Sequence, residues 1–467
     1  MKHRFDPALA LLVVLLAAHF AVTLTHYHHP LITDEIYWVR NARHLVEHGS
    51  LPPIDPAALA AEKGEAWAAS DWRPQAYTVF LALCSLGDFD DPDVTLRLRA
   101  TVVHFLLLAA IVMALYRLAV RAGASRWMAA VLLGIAPWPF EFVNEIGADS
   151  LNAFVTSVAL LLLWRWIADP PRGTVWLFWS AVVASFPLLV RPEMLVLAPV
   201  MIGLAMLLRR PFTRAELFAA VAAFALVLGV QVAYRTWLTG KPGIYGGMQQ
   251  IVNSGAFHWA ETWPGTEKEG YDFVYLLTEG RPIALPDRAF ADDRERQRVQ
   301  GIVDRVRARG RYTREDDATF EALSEERRQR FPVLVASLRL WHTAHLWLNN
   351  ENPNPILDAL APVPQSARRP LYGALLLLRL AIYAAAAFAA VRAAVRLRRG
   401  EADIFDRLTL LMAGFILARS LLVGLVLNWK VHRYVLVAWP AMLWCACAAL
   451  RGGSAASSPA VSRGPSE

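Results

Sequence analysis

Charge is scarce in this chain of 467 residues: Asp, Glu, Lys and Arg make up 19%, against 56% hydrophobic residues, and mean hydropathy is +0.34. A soluble domain of this size needs a polar face on nearly every surface helix, so the balance excludes an ordinary soluble globule. Cysteine is scarcer still, with only Cys84, Cys445 and Cys447. The last two lie inside an apolar run, which excludes a disulfide framework and a cysteine-ligated zinc site. Internal repeats are also missing. The net charge of +7 and pI near 9.4 do not form a nucleic-acid-binding stripe, because the bases sit mainly in short loops between apolar runs.

What the chain has in abundance is apolar runs of about 17 to 25 residues, each long enough to cross a bilayer core. They predict an all-α polytopic membrane protein with about ten spans, at 7–25, 97–119, 126–143, 149–168, 174–190, 192–208, 215–236, 371–395, 405–427 and 432–450. The first run lacks a small-residue cleavage site before His26 and reads as a retained span, not a signal peptide. Pro137 and Pro139 interrupt the third. Lys2 and Arg4, Arg117, Arg121 and Arg126, Arg165 and Arg172, Arg209, Arg210 and Arg214, and Arg392, Arg396, Arg398 and Arg399 all fall on one side if both termini are cytoplasmic.

This topology divides the chain into an N-terminal membrane module (1–236) whose first outer loop is 26–96, an outer helical loop (237–370), C-terminal spans (371–450) and a disordered cytoplasmic tail (451–467). In the outer loop, Val299, Ile302, Val303 and Val306 follow the i, i+3, i+4, i+7 pattern of an amphipathic helix, and Thr313 with Asp316 forms a capping box for a second. That pair reads as a solvated hairpin or as a lid over an acceptor. The apolar segment from Val333 carries Arg339, His342 and His345 as a polar stripe, which predicts a helix lying on the outer membrane surface.

Several polar groups cluster at the outer ends of the spans. Asp34 and Glu35, in LITDEIYWVRNARHLVEHGS, suit the first turn of a helix, and a carboxylate at the lip of a membrane cavity also suits a general base. Arg73, in WRPQAYTVFLALCSLG, precedes a proline and is therefore extended; it reads as a snorkelling anchor or as a clamp on a lipid phosphate. Glu141, Glu145 and Asp149 crowd one short outer loop, where three acids need hydration, protonation or a cation, and Asp149 also suits a helix cap. Arg191 and Glu193 flank Pro192 at a helix start; Lys430, His432 and Arg433 mark the outer start of the last span. His26 and His28, in HYHH, read as part of an interfacial belt, with metal ligation the alternative.

The ordered set resembles the GT-C membrane glycosyltransferases that use polyprenyl-phosphate-linked sugars, a group that includes protein O-mannosyltransferases, lipid A aminoarabinose transferases and RgtA/B/C/D-like bacterial enzymes. The pieces that carry the resemblance are ITDEIYWVRNARHLVEHG after the first span, WRPQAYTVFLALCSLG, TLRLRATVVHFLLLAA, LVRPEMLVLAP and VHRYVLVAWPAML. It implies a GT-C-like helical bundle with interfacial helices in its first outer loop. Asp34 matches the catalytic acid that deprotonates the acceptor, and Arg73 and Arg433 match basic positions, the first of them on the donor phosphate; Glu35 is a further candidate acid, and Arg191 and Lys430 are further candidates for the donor phosphate. One of Glu141, Glu145 and Asp149 falls where family members place a second acid.

The expected reaction is inverting hexosyl or pentosyl transfer from a polyprenyl-phosphate sugar to a glycolipid or surface-polysaccharide acceptor, at the periplasmic face of a bacterial inner membrane. No cofactor is obligatory for a lipid-monophosphate donor, and a divalent cation is compatible with it. A protein acceptor, or a flippase of lipid-linked saccharides, is the alternative. A flippase would call for inverted repeats and ionisable groups at mid-span, and neither is evident.

Overall fold

The computed structural model describes residues 6–25, 33–51, 75–140, 143–169, 173–209, 211–239, 242–244, 254–265, 267–348, 365–426 and 436–451. Among the described residues there are 17 α-helices and no β-strand. In chain order they are α1 Pro7–Thr25, α2 Thr33–His48, α3 Ala76–Ser85, α4 Arg97–Arg121, α5 Arg126–Ile135, α6 Ala148–Ala168, α7 Thr174–Ser185, α8 Met194–Arg209 and α9 Arg214–Thr239. Then come α10 Ser254–Ala260, α11 Glu267–Thr278, α12 Asp293–Arg309, α13 Arg314–Arg330, α14 Pro332–Leu348, α15 Gln365–Arg398, α16 Ile404–Leu421 and α17 Trp439–Ala449.

Six helical stretches are long and apolar enough to cross a membrane: Pro7–Thr25, Pro92–Arg121, Ala148–Ala168, Arg214–Trp237, Pro370–Arg398 and Ile404–Gly424. The other four expected spans are shorter helices. α5 stops at Ile135 because Pro137 and Pro139 cannot continue its hydrogen-bond ladder, and a 3-10 turn, Trp138–Phe140, follows. Thr174–Leu189, Met194–Arg209 and Leu436–Ala449 are apolar helices of less than spanning length. The spans bury one face on a common core and leave large apolar side chains outward, among them Val14 (63% exposed), Phe218 (75%) and Leu377 (69%). Water would not tolerate such a surface; hydrocarbon does, and the fold is that of a multi-pass membrane protein.

The basic loops come together at one end of the bundle. Arg451 donates to the Ala122 carbonyl at 3.0 Å and to Asp406 at 3.1 Å, and pairs with Asp403. Arg396 reaches Asp406 at 2.9 Å, the Trp164 indole donates to the Ile404 carbonyl at 2.8 Å, and Arg209 pairs with Glu216 at 3.1 Å. Asp403 caps α16, accepting from the Phe405 and Asp406 amides at 2.9 and 2.8 Å. At this end acids and bases neutralise one another and tie the last turns of the spans together.

At the opposite end α10 to α13 form a small helical module with its own core of Trp259, Trp263, Phe273, Val303, Phe320 and Leu323, among others. The predicted stripe Val299, Ile302, Val303 and Val306 is buried there. Asp316 accepts the Thr313 amide at 3.0 Å, the predicted cap. Buried Arg327 crosses the module, pairing with Glu295 at 2.7 Å and donating to the carbonyl of Thr262 at 3.3 Å and to that of Ala289 at 2.6 Å.

α14 departs from its expected orientation. His342 is fully buried, whereas Val333 (81% exposed), Leu340 (63%) and Trp341 (57%) face outward. Its C-terminal end is held by the bundle: the Trp347 indole donates to Ser420 at 2.9 Å, and Tyr383 donates to the Trp347 carbonyl at 2.6 Å. The helix thus turns His342 to protein and its apolar residues out, the arrangement suited to lipid; the side chain of His345 lies outside the described residues.

Candidate functional site

At the end opposite the basic loops, two buried ion pairs and one partly buried pair meet. The first joins the first turn of α2 to the first residue of α4. Both oxygens of Glu35 accept from the Arg97 guanidinium, at 2.8 and 2.9 Å, in the bidentate geometry that suits arginine and carboxylate. Glu35 also accepts the Ile146 amide at 2.9 Å, and Arg97 donates to the Asn144 carbonyl at 3.1 Å. One pair therefore fixes α2, α4 and the loop 143–147 together. Glu35 is 4% exposed and Arg97 is fully buried.

The second and third pairs spring from one short segment. Arg191 pairs with Asp149 in the first turn of α6, and Glu193, two residues on, accepts from Arg419 of α16 at 3.1 Å. Pro192 between them lacks an N–H and has a restricted φ, which suits the entry to α8. Asp149, Glu193 and Arg419 are buried. Around a segment of three residues, two acids and two bases cancel, which lets charge persist at a low-dielectric helix junction.

α3 lies beside this cluster, its Tyr77 packed edge-on to Trp38 of α2 and stacked with His104 of α4 at 5.9 Å between centroids. Burial first, then Cys84, Glu35 and Asp149 nearby, push the Tyr77 phenol well above its ordinary pKa. It stays a neutral hydroxyl throughout the physiological range.

The site residues read from sequence fall as follows. Asp34 sits one residue before Glu35 in the first turn of α2, and its side chain lies outside the described residues. Arg73, Glu141, Lys430, His432, Arg433 and the histidines at 26–29 lie outside them as well. Glu35, Asp149 and Arg191 are brought to one end of the bundle; each carboxylate already has an arginine partner. Glu145 is half-buried in the same loop, where its carbonyl accepts the Gly147 amide at 2.9 Å. Among the described residues no three His, Cys, Asp or Glu side chains come together as a metal site.

Arg97, Glu193 and Arg419 were missed as components. Arg419 carried a signal, since an arginine in the apolar run AGFILARSLLVGL needs a buried partner. Arg97, at the mouth of a span, carried none that distinguishes it from Arg99, whose partners are the half-exposed Asp88 at 3.2 Å and a backbone carbonyl.

No protein-family model matches the sequence, and no curated protein matches it. Among solved structures the chain is similar to the Archaeoglobus fulgidus oligosaccharyltransferase in its apo form, at 12% identity and a TM-score of 0.47, over 95% of this chain and 50% of that one. The same enzyme tethered to an acceptor peptide gives 12% identity and a TM-score of 0.41, over 94% and 49%. ArnT from Cupriavidus metallidurans bound to undecaprenyl phosphate gives 13% and 0.34, over 93% and 77%. The chain spans about half the length of the archaeal enzyme.

Proposed function

We propose that the protein is a GT-C-type glycosyltransferase of a bacterial inner membrane, moving a sugar from a polyprenyl-phosphate donor to a glycolipid or surface-polysaccharide hydroxyl at the periplasmic face. The observation that carries this reading is the meeting of Glu35–Arg97, Asp149–Arg191 and Glu193–Arg419 at the end of the bundle opposite the basic loops. The positive-inside trend makes that end the outer one.

In the proposed mechanism Asp34 is the general base. As the acceptor oxygen attacks the anomeric carbon, its proton passes to the Asp34 carboxylate, and the bond from that carbon to the phosphate oxygen breaks on the opposite face, inverting the centre. The leaving polyprenyl phosphate takes the electron pair and gains negative charge. Arg191, with Arg73, Lys430 and Arg433, is proposed to hold and stabilise it. Glu35 is better suited to positioning than to proton transfer, because both its oxygens are already engaged. Its bond to Arg97 fixes the turn that carries Asp34.

Purified protein incubated with a panel of polyprenyl-phosphate hexoses and pentoses, together with envelope glycolipid, tests the reading by mass spectrometry of the product. One donor is expected to add a single glycosyl unit. Transfer from a sugar nucleotide in place of every lipid donor would overturn it.

A further inference from the structure

One to two helical turns beneath the ion pairs lies a group of uncharged polar side chains that none of the interactions above explains. On α4, Thr101 and His104 follow Arg97 at i+4 and i+7; on α6, Asn152 follows Asp149 at i+3. The two helices pack on each other, and α3 closes the group by stacking Tyr77 on His104. Tyr77, His104 and Asn152 are 0% exposed and Thr101 is 1% exposed. Tyr77 Oη, Thr101 Oγ1, His104 Nε2 and Asn152 Nδ2 each have no hydrogen-bond partner among the described residues.

Four such atoms in the contact region of three packed helices are costly. Leaving a buried donor or acceptor unsatisfied forfeits its hydration with nothing in return, and a bundle of apolar helices would pack there without that loss. The chemistry of the four defines what would satisfy them. His104 Nδ1 lies 3.3 Å from the Val143 carbonyl, which places its proton on Nδ1 and leaves Nε2 an acceptor. Asn152 Nδ2 is a donor only, and the two hydroxyls act in either sense. A group that both donates and accepts while carrying no charge matches this set; the phosphodiester of a lipid-linked sugar, which has no proton to donate, does not.

We infer that Tyr77, Thr101, His104 and Asn152 form a buried subsite for uncharged hydroxyl groups, supplied either by the sugar of the lipid-linked donor or by internal water. The sugar arm rests on the function proposed above; the water arm does not.

Tyr77→Phe and Thr101→Val test it, since each removes one oxygen and keeps the shape of the side chain. Melting temperature of the full-length protein in detergent is measured alone, with farnesyl phosphate, and with farnesyl-phosphate-linked hexoses and pentoses. For a sugar subsite, one sugar-bearing lipid raises the melting temperature of the wild type more than farnesyl phosphate does. Both variants then lose most of that excess while keeping the shift from farnesyl phosphate itself. For a water subsite, both variants melt lower without ligand and the excess is unchanged. Variants that melt at or above the wild type, with the excess intact, would overturn the inference, because removing an atom with no partner relieves the structure. A wild type shifted by neither lipid sinks the proposed function and the sugar arm together, and the ligand-free melting of the variants still decides the water arm.

Discussion

Replacing Arg97 by Met leaves the buried Glu35 carboxyl without its bidentate partner, although it still accepts the Ile146 amide at 2.9 Å. Removing one partner of a buried pair typically costs about 3–5 kcal/mol, because the remaining charge is neither solvated nor paired. The bidentate geometry, the third hydrogen bond to Glu35 and the bond from Arg97 to the Asn144 carbonyl put this site at the upper part of that range. Glu35→Leu takes away the carboxylate that Arg97 binds and should cost a similar amount. The double variant removes both charges, so it should be less destabilised than the sum of the singles, with a coupling of about 2–3 kcal/mol. The assay is reversible unfolding in mixed micelles of lipid and denaturing detergent, followed by tryptophan fluorescence, for all four proteins of the cycle. Strict additivity, or an Arg97→Met penalty below about 1 kcal/mol, the size of an exposed pair, would refute the claim that this bridge holds α2 on α4.

Arg419→Met should destabilise by about 3 kcal/mol through the stranded Glu193, and Arg419→Lys should recover part of it; equal melting of Met and Lys variants would contradict the pairing. In the α10–α13 module, a hydrogen bond from Arg330 and then the Glu295 amide hold the Asp292 carboxyl below its ordinary 3.8. A depressed folded-state pKa means stability that is present above about pH 4 and is lost as pH falls through the folded value. Amide exchange in the first turn of α12 should accelerate as pH is lowered from 4 toward 2, after correction for intrinsic rates. Arg330→Gln should shift that acceleration to higher pH, and an unmoved profile would remove Arg330 as the cause.

How much of this was legible depended on the range of the interaction. Val299, Ile302, Val303 and Val306 announced a buried helix face because their spacing is local, and Thr313 with Asp316 announced its own cap. The break after α5 followed from Pro137 and Pro139. His342 misled, because a polar residue on an apolar helix satisfies periodicity whether it faces water or a protein interior; its contact with the bundle depends on elements far along the chain. Asp34 and Glu35 read alike as helix-start acids. What separates them is that Arg97, 62 residues on from Glu35, binds it, and no local pattern carries that information. The carboxylates of the loop before Asp149 left hydration, protonation and a bound cation all open for a related reason. Asp149 has its counter-charge on Arg191, 42 residues away, a pairing that appears only when α6 and the entry to α8 meet.

Sugar transfer by Asp34→Asn is the most direct test of the account. The variant keeps the size of the side chain and removes its basicity, so transfer from the polyprenyl-phosphate donor should fall by a factor of about 100 to 10,000. Membrane insertion, melting temperature and the shift caused by polyprenyl phosphate should match the wild type. Full activity in Asp34→Asn would contradict the assignment of the base and with it the proposed chemistry of this end of the bundle.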